Sequence, residues 1–110
     1  MSECLFCKIV EKKIEADLVY EDNDVVAFHD ISPVAPTHIL VIPKVHIENV
    51  LGIDGALAQK MLLVIQQIVK MEKIEKGFRL VTNTGEHGGQ TVYHLHWHIL
   101  SGRHMGWPPG

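Results

Sequence analysis

The chain has 110 residues, a formal net charge of −3, and 46% hydrophobic against 21% charged residues. That balance fits one globular domain spanning 1–110 with a core of its own. It argues against a general nucleic-acid binder, which presents a basic face, and no apolar run reaches the ~20 residues of a membrane span.

Helix-like spacing of Leu5, Ile9 and Val10 predicts a short helix at the start of "LFCKIVEKKI". The N-terminus, with Glu3 and two cysteines before any long apolar run, does not read as a signal peptide, so a cytoplasmic location is expected. Two strand-like runs, 16–22 and 25–31, flank the polar "EDND" and predict a hairpin. "SPVAPT" carries two prolines and reads as loop, and "HILVIP" (38–43) as a strand ended by Pro43. A helical turn is expected near 46–52. One long helix follows over 54–76, with Leu57, Met61, Val64, Ile65, Ile68 and Met71 on its apolar face, Asp54 as N-cap and Gly77 as C′. "FRLVTN" is a fourth strand and "TVYHLHWHIL" (91–100) a fifth, joined by the glycine-rich "TGEHGGQ". The expected architecture is α+β, an antiparallel sheet with a helix over one face.

The fifth strand carries His94, His96 and His98 at alternate positions, which puts three imidazoles on one face of a strand. Such a row can hold a metal, respond to pH or handle a phosphate. Alternating histidines can converge on zinc and leave a position open for water. The loop leading into them favours the phosphate instead. Paired glycines let backbone N–H groups approach an anion, and Gln90 and Thr91 offer side-chain donors. Phosphoryl chemistry with a histidine nucleophile fits that combination. Cys4 and Cys7 form a CxxC pair, which in a cytosolic chain is redox-active or metal-binding rather than a structural disulfide. A zinc site there needs two further ligands, and histidine is the available type.

"HLHWHIL" resembles the His-φ-His-φ-His-φ-φ signature of the histidine-triad (HIT) nucleotide-binding proteins. "AFHDISPVAPTHILVIPKVHI", "GGQTVYHLHWHIL" and the terminal "WPPG" resemble the Hint branch, so the likeness runs through essentially the whole chain. It implies a five-stranded antiparallel sheet with one long and one short helix, and a homodimer with a continuous ten-stranded sheet. An independent expectation points the same way: the long helix and the unpaired edge of the final strand both need covering. The resemblance further implies binding of purine nucleoside monophosphates (AMP or GMP) and hydrolysis of nucleoside phosphoramidates through a nucleotidyl-histidine. Two other readings stand beside it: a dinucleoside polyphosphate hydrolase of the Fhit branch, and a nucleotide-binding regulatory module whose turnover is incidental.

By the same resemblance His96 is the nucleophile, His98 stands against the phosphate and leaving group, and His38 supports the triad. Asn83, Gly89, Gln90 and Thr91 match phosphate-contacting positions, Thr91 replacing the serine of the best-known Hint proteins. Asp30 matches the carboxylate that binds both ribose hydroxyls. Phe6, Ile9, Ile14, Phe28, His29, Ile31 and Leu40 fall at base-pocket positions, and Trp107 at the tryptophan that borders the leaving-group pocket of the partner subunit. The CxxC pair departs from animal Hint proteins and resembles the bacterial type. There a structural zinc, with no catalytic metal, is completed by two histidines, here His46 and His94. His94 thus belongs both to the triad and to the metal set.

Overall fold

Apolar alternation around residues 25–43 divides the central side chains between two faces of a sheet. The computed structural model describes residues 3–110. Its elements run α1 (Leu5–Val10), β1 (Leu18–Glu21), β2 (Val25–His29), β3 (Thr37–Pro43), a 3₁₀ turn (Val50–Gly52), α2 (Gly55–Met71), β4 (Arg79–Val81) and β5 (Trp97–Ser101). The strands form one antiparallel sheet in the order β1-β2-β3-β5-β4. The expected hairpin is present, and Asp22 closes it: its Oδ1 accepts from the N–H groups of Asp24 (2.7 Å) and Val25 (2.8 Å).

Each face has its own core. Val25, Ala27, Ile39, Val41 and Ile99 pack under Met61, Val64, Ile65 and Ile68 of α2. Val26, Phe28, Leu40 and Ile42 pack under Phe6 and Ile9 of α1. Register pairs Phe28 with Leu40 and Leu40 with His98, so His98 lies on the α1 face, away from the long helix. The α1 helix is only six residues long, and its Leu5, Phe6 and Ile9 line a cavity together with Phe28 and Leu40 of this face.

Three expectations are corrected. The long helix starts as expected, with Asp54 Oδ1 accepting from Leu57 N–H at 2.8 Å, but it ends at Met71 and not near Lys76. Ile74 N–H bonds Val69 O and Lys73 N–H bonds Lys70 O, a Schellman closure with Lys73 at φ 55° in the C′ position expected of Gly77. Ile74 packs on the α2 core, which holds that turn in place, and Met71 is left exposed. The fifth strand begins only at Trp97, because the preceding backbone and rings bond to the segment after β3: Leu95 N–H to Ile47 O and His94 Nε2–H to Pro43 O. Finally, β5 lies inside the sheet, so the strand with an open edge on that side is β4 and not the last strand.

Candidate active site

The three triad rings do gather under α1: the Phe6 ring meets His94 and His96 edge-on at 6.0 and 5.0 Å, and His96 and His98 lie 4.9 Å apart. Only His98 is placed there by the strand ladder. His96 is held by its own backbone neighbourhood: Nδ1–H donates to His94 O at 2.8 Å, and Thr82 Oγ1–H donates to His96 O at 3.0 Å. An imidazole that donates from Nδ1 carries its lone pair on Nε2. That nitrogen has no hydrogen-bond partner among the described residues.

His98 has the opposite polarity, and the reason starts in the "SPVAPT" loop. Val34 N–H donates to His38 Nδ1 at 3.1 Å, so the proton of the neutral His38 ring sits on Nε2. His38 Nε2–H then donates to His98 Nδ1 at 2.9 Å, which leaves the His98 proton on Nε2. This last N–H is buried without a partner among the described residues. Burial keeps His38 neutral by lowering its pKa against the pull of Asp30, whose carboxylate lies 3.5 Å away. His98 is pushed down to about 4 by burial first and then by the neighbouring His96 and His38, with Asp30 opposing. The cluster thus presents one bare lone pair and one unpaired donor on adjacent rings.

Beside it lies a cavity of about 210 Å³. Every residue expected at the base pocket lines it: Phe6, Ile9, Ile14, Phe28, His29, Ile31 and Leu40, together with Asp30 at its edge. Leu5, Glu15, Ala16 and Val92 line it too and were not anticipated. Leu5 lies one helical turn before Ile9 and could have been found from that spacing. Glu15 and Ala16 sit in irregular chain with no periodic signal. Asp30 Oδ1 accepts from Ser32 N–H at 2.7 Å, which fixes the carboxylate at the cavity mouth.

The glycine loop is set by sterics: a Cβ at Gly88 would collide with the carbonyl of Thr84. Gln90 corrects its expected role as a side-chain donor to a ligand. It is buried, its Oε1 accepts from Gly85 N–H, and its Nε2 donates to Glu48 O and Val92 O, so the amide is consumed in holding the loop. Asn83 is half-buried just past β4; Gly89 and Thr91 are exposed, Thr91 on the same surface depression as Cys4 and His46. Trp107 is 83% exposed, and its tail is tied back by Arg79 Nη2, which donates to Gly106 O at 2.6 Å.

Behind His96 stands a second cluster. Cys4 Sγ lies 3.4 Å from His94 Nδ1, and Cys7 Sγ lies 3.2 Å from His46 Nδ1 and 3.6 Å from His94 Nδ1. Adjacent sulfur and nitrogen ligands on tetrahedral zinc stand about 3.5 Å apart for Zn–S of about 2.3 Å and Zn–N of about 2.0 Å. The spacings therefore fit that ion. His94 also has the orientation zinc requires, since Nε2–H is bound to Pro43 O and the Nδ1 lone pair faces the thiols. Burial, reinforced by Cys4, raises the Cys7 thiol to about 11, so a cation in the cluster is what would deprotonate it. With both ring nitrogens so directed, the His94 ring has none facing His96 and His98, and its hydrogen bond to that pair is made by its carbonyl.

An α+β sheet carrying linked histidines beside an apolar cavity defines a histidine-triad fold. The HIT domain model matches residues 11–105, and the chain belongs to that family. It is 47% identical over 108 residues to the purine nucleoside phosphoramidase of Escherichia coli K12, covering 94% of this chain and 91% of that protein. It is 46% identical to the 14 kDa zinc-binding protein of Zea mays over 115 residues, covering 99% and 89%. Among solved structures, a HIT family hydrolase from Legionella pneumophila Philadelphia 1 superposes with a TM-score of 0.94 at 46% identity, covering 98% of this chain and all of that one. The family hit and these relatives support hydrolase activity.

Proposed function

We propose that the chain is a purine nucleoside phosphoramidase that works through a nucleotidyl-histidine. The observation that carries this reading is the paired polarity of His96 and His98, a bare Nε2 lone pair beside a fixed Nε2–H. His96 Nε2 attacks the α-phosphorus of an AMP- or GMP-linked phosphoramidate. The P–N bond breaks and its electron pair leaves with the amine, which takes up a proton from solvent; the later attack of water returns one. Water then attacks the phosphorus, releasing the nucleoside monophosphate and restoring His96. His98 Nε2–H donates to the phosphoryl edge, a preorganised donor for charge that develops there. The base occupies the cavity beneath α1, Asp30 accepts from the ribose hydroxyls, and the 84–91 loop with Asn83, Gly89 and Thr91 faces the phosphate. The relative in Escherichia coli, named for this activity, supports the assignment.

Residues 1–110 are read as one HIT domain, acting in the cytoplasm on a small nucleotide and on neither nucleic acid nor membrane. Among the described residues no helix is long and apolar enough to cross a membrane. Cys4, Cys7, His46 and His94 would hold zinc, and the ion would supply a closed four-ligand cross-link between α1, the segment after β3 and the triad. The partner is a second copy, paired through the open edge of β4 into a ten-stranded sheet. The exposed Phe78 and Leu80, with Leu62, Leu63 and Met71 of α2, provide apolar surface for such pairing. In that dimer Trp107 reaches the partner's leaving-group side.

Turnover of adenosine 5′-phosphoramidate compared with diadenosine triphosphate tests the substrate class. The expected result is a higher kcat/KM for the phosphoramidate by at least about 100-fold, equivalent to roughly 3 kcal/mol of transition-state discrimination. A preference for the dinucleotide would assign the chain to the polyphosphate hydrolases instead.

A further inference from the structure

The segment after β5 contacts the residue that fixes His38, and it lies outside every motif used so far. Arg103 places Nε and Nη2 on the carbonyl of Val34, at 3.3 and 3.0 Å. The N–H of that same Val34 is the donor that fixes His38 Nδ1. The neighbouring residue makes a second, independent contact with the loop. Gly102 sits at φ +95°, and a Cβ there would lie 2.7 Å from Pro36 Cβ, so the chain after β5 is pressed against residues 34–36 as only glycine allows. The Val34 side chain is 60% exposed, so its backbone is bonded on both sides, N–H to His38 and C=O to Arg103, with little side-chain burial to anchor it.

We propose that Arg103 is a positioning residue: with Gly102 it clasps the 34–36 loop, pins the 34–35 peptide on the C-terminal side of Val34, and by restricting the backbone at Val34 keeps the N–H on its other side aimed at His38 Nδ1, which fixes the proton of His38 and then of His98 on Nε2. The clasp rests on the functional reading above only for its kinetic consequence; the proton positions stand apart from it. If release of the Val34 carbonyl lets the backbone at Val34 relax and its N–H swing away, His38 Nδ1 loses its donor and the ring can carry its proton on either nitrogen. With the proton on Nδ1, His38 Nε2 becomes an acceptor, His98 Nδ1 must donate to it, and His98 Nε2 turns from donor to acceptor. A phosphoryl oxygen then meets a lone pair where it needs an N–H. The cost falls on the developing charge of the transition state rather than on nucleoside binding.

The test uses the full-length protein and ¹H–¹⁵N long-range correlation of the imidazole nitrogens. In the wild-type protein His98 is expected as the Nε2–H tautomer. In Arg103→Met it is expected as a mixture, with kcat for the phosphoramidate lowered about tenfold, the size of a lost hydrogen bond to a charged acceptor, and KM within about twofold. Arg103→Lys, which keeps one donor for Val34 O, is expected to recover most of the Nε2–H signal and of kcat. Arg79→Met controls for displacement of the tail, since it removes the bond to Gly106 O and touches nothing on Val34; its His98 spectrum is expected unchanged. An Nε2–H tautomer undisturbed in Arg103→Met, or an equal disturbance in Arg79→Met, overturns the clasp. Absence of turnover in the wild-type protein would instead count against the functional reading, with the spectra still deciding the clasp.

Discussion

Two histidine clusters meet at residues 94–96 and differ in where their nitrogens point. Behind α1, His46 and His94 turn Nδ1 toward two thiols, and His94 is locked by a carbonyl on its far side. In front, His96 turns Nδ1 back to the chain and leaves Nε2 bare, while His98 keeps a buried N–H with no partner. The first set is closed and self-satisfied; the second is left incomplete toward the cavity. The residue type is the same throughout, so role follows from the backbone groups that dictate each tautomer. The clusters also share a residue. His94 gives its ring to one and its carbonyl to the other, which would let a metal held by the first brace the His96 ring on the proposed mechanism without joining the chemistry.

The sharpest way to break this division is to remove one member from each side. His96→Ala is expected to lower phosphoramidate kcat/KM by about 10⁴-fold or more, as loss of a nucleophile does, while metal content and melting temperature stay near wild type. Loss of metal in that variant would mean the clusters are not separable. Cys7→Ala is expected to abolish zinc binding, read by elemental analysis, and to lower the melting temperature by more than about 10 °C, because metal binding is folding free energy in such sites. An unchanged melting temperature would show that the cluster braces nothing.

Acid titration sharpens the contrast at the open cluster. Burial holds the folded-state pKa of His98 at about 4 against an ordinary 6.5, and His96, His38 and Asp30 are the titratable groups facing it. The unfolded chain therefore takes up this proton first as the pH falls. The contribution of the neutral ring to stability is complete above 6.5 and is lost as the pH drops toward 4. His98→Gln is expected to have a shallower fall in melting temperature across that window, and an identical fall would remove burial as the cause. The smallest effect is expected at the tail. Removing residues 105–110 should reorder leaving groups by a few-fold and leave AMP affinity within about twofold, since contact with only one part of the substrate shifts selectivity by about 1 kcal/mol. Equal losses for every substrate would displace Trp107 from the leaving-group side.

Much of this was legible in the residues, and the parts that were not share a cause. The cavity residues and Asp30 are expected from the family resemblance, and strand alternation accounts physically for Phe28 and Leu40 sharing one face. The start of β5 was misjudged because the bonds that replace the ladder come from Pro43 O and Ile47 O, backbone groups that carry no sequence signature. Gln90 read as a donor beside a glycine pair, yet its amide is spent on three backbone groups brought near only by the fold. The end of α2 was misplaced because Ile74 packing outweighs the preference of glycine for the C′ position. The edge strand was misassigned because sheet order is a tertiary property: β4 lies outside β5 although it comes first in the chain. Alternating histidines point to a reactive cluster, but which nitrogen is free depends on the peptide of Val34 and the carbonyl of His94.

On the proposed mechanism His96 Nε2, and no other nitrogen of the eight histidines, takes up the nucleotide. Protein quenched in acid-free denaturant during turnover of a purine nucleoside phosphoramidate, digested and sequenced by mass spectrometry, measures this directly. The expected result is one nucleoside monophosphate adduct, on the peptide containing His96 and localised to that residue, absent in His96→Ala. An adduct on His98 or His38, or turnover in which no adduct forms at any time, would contradict the account.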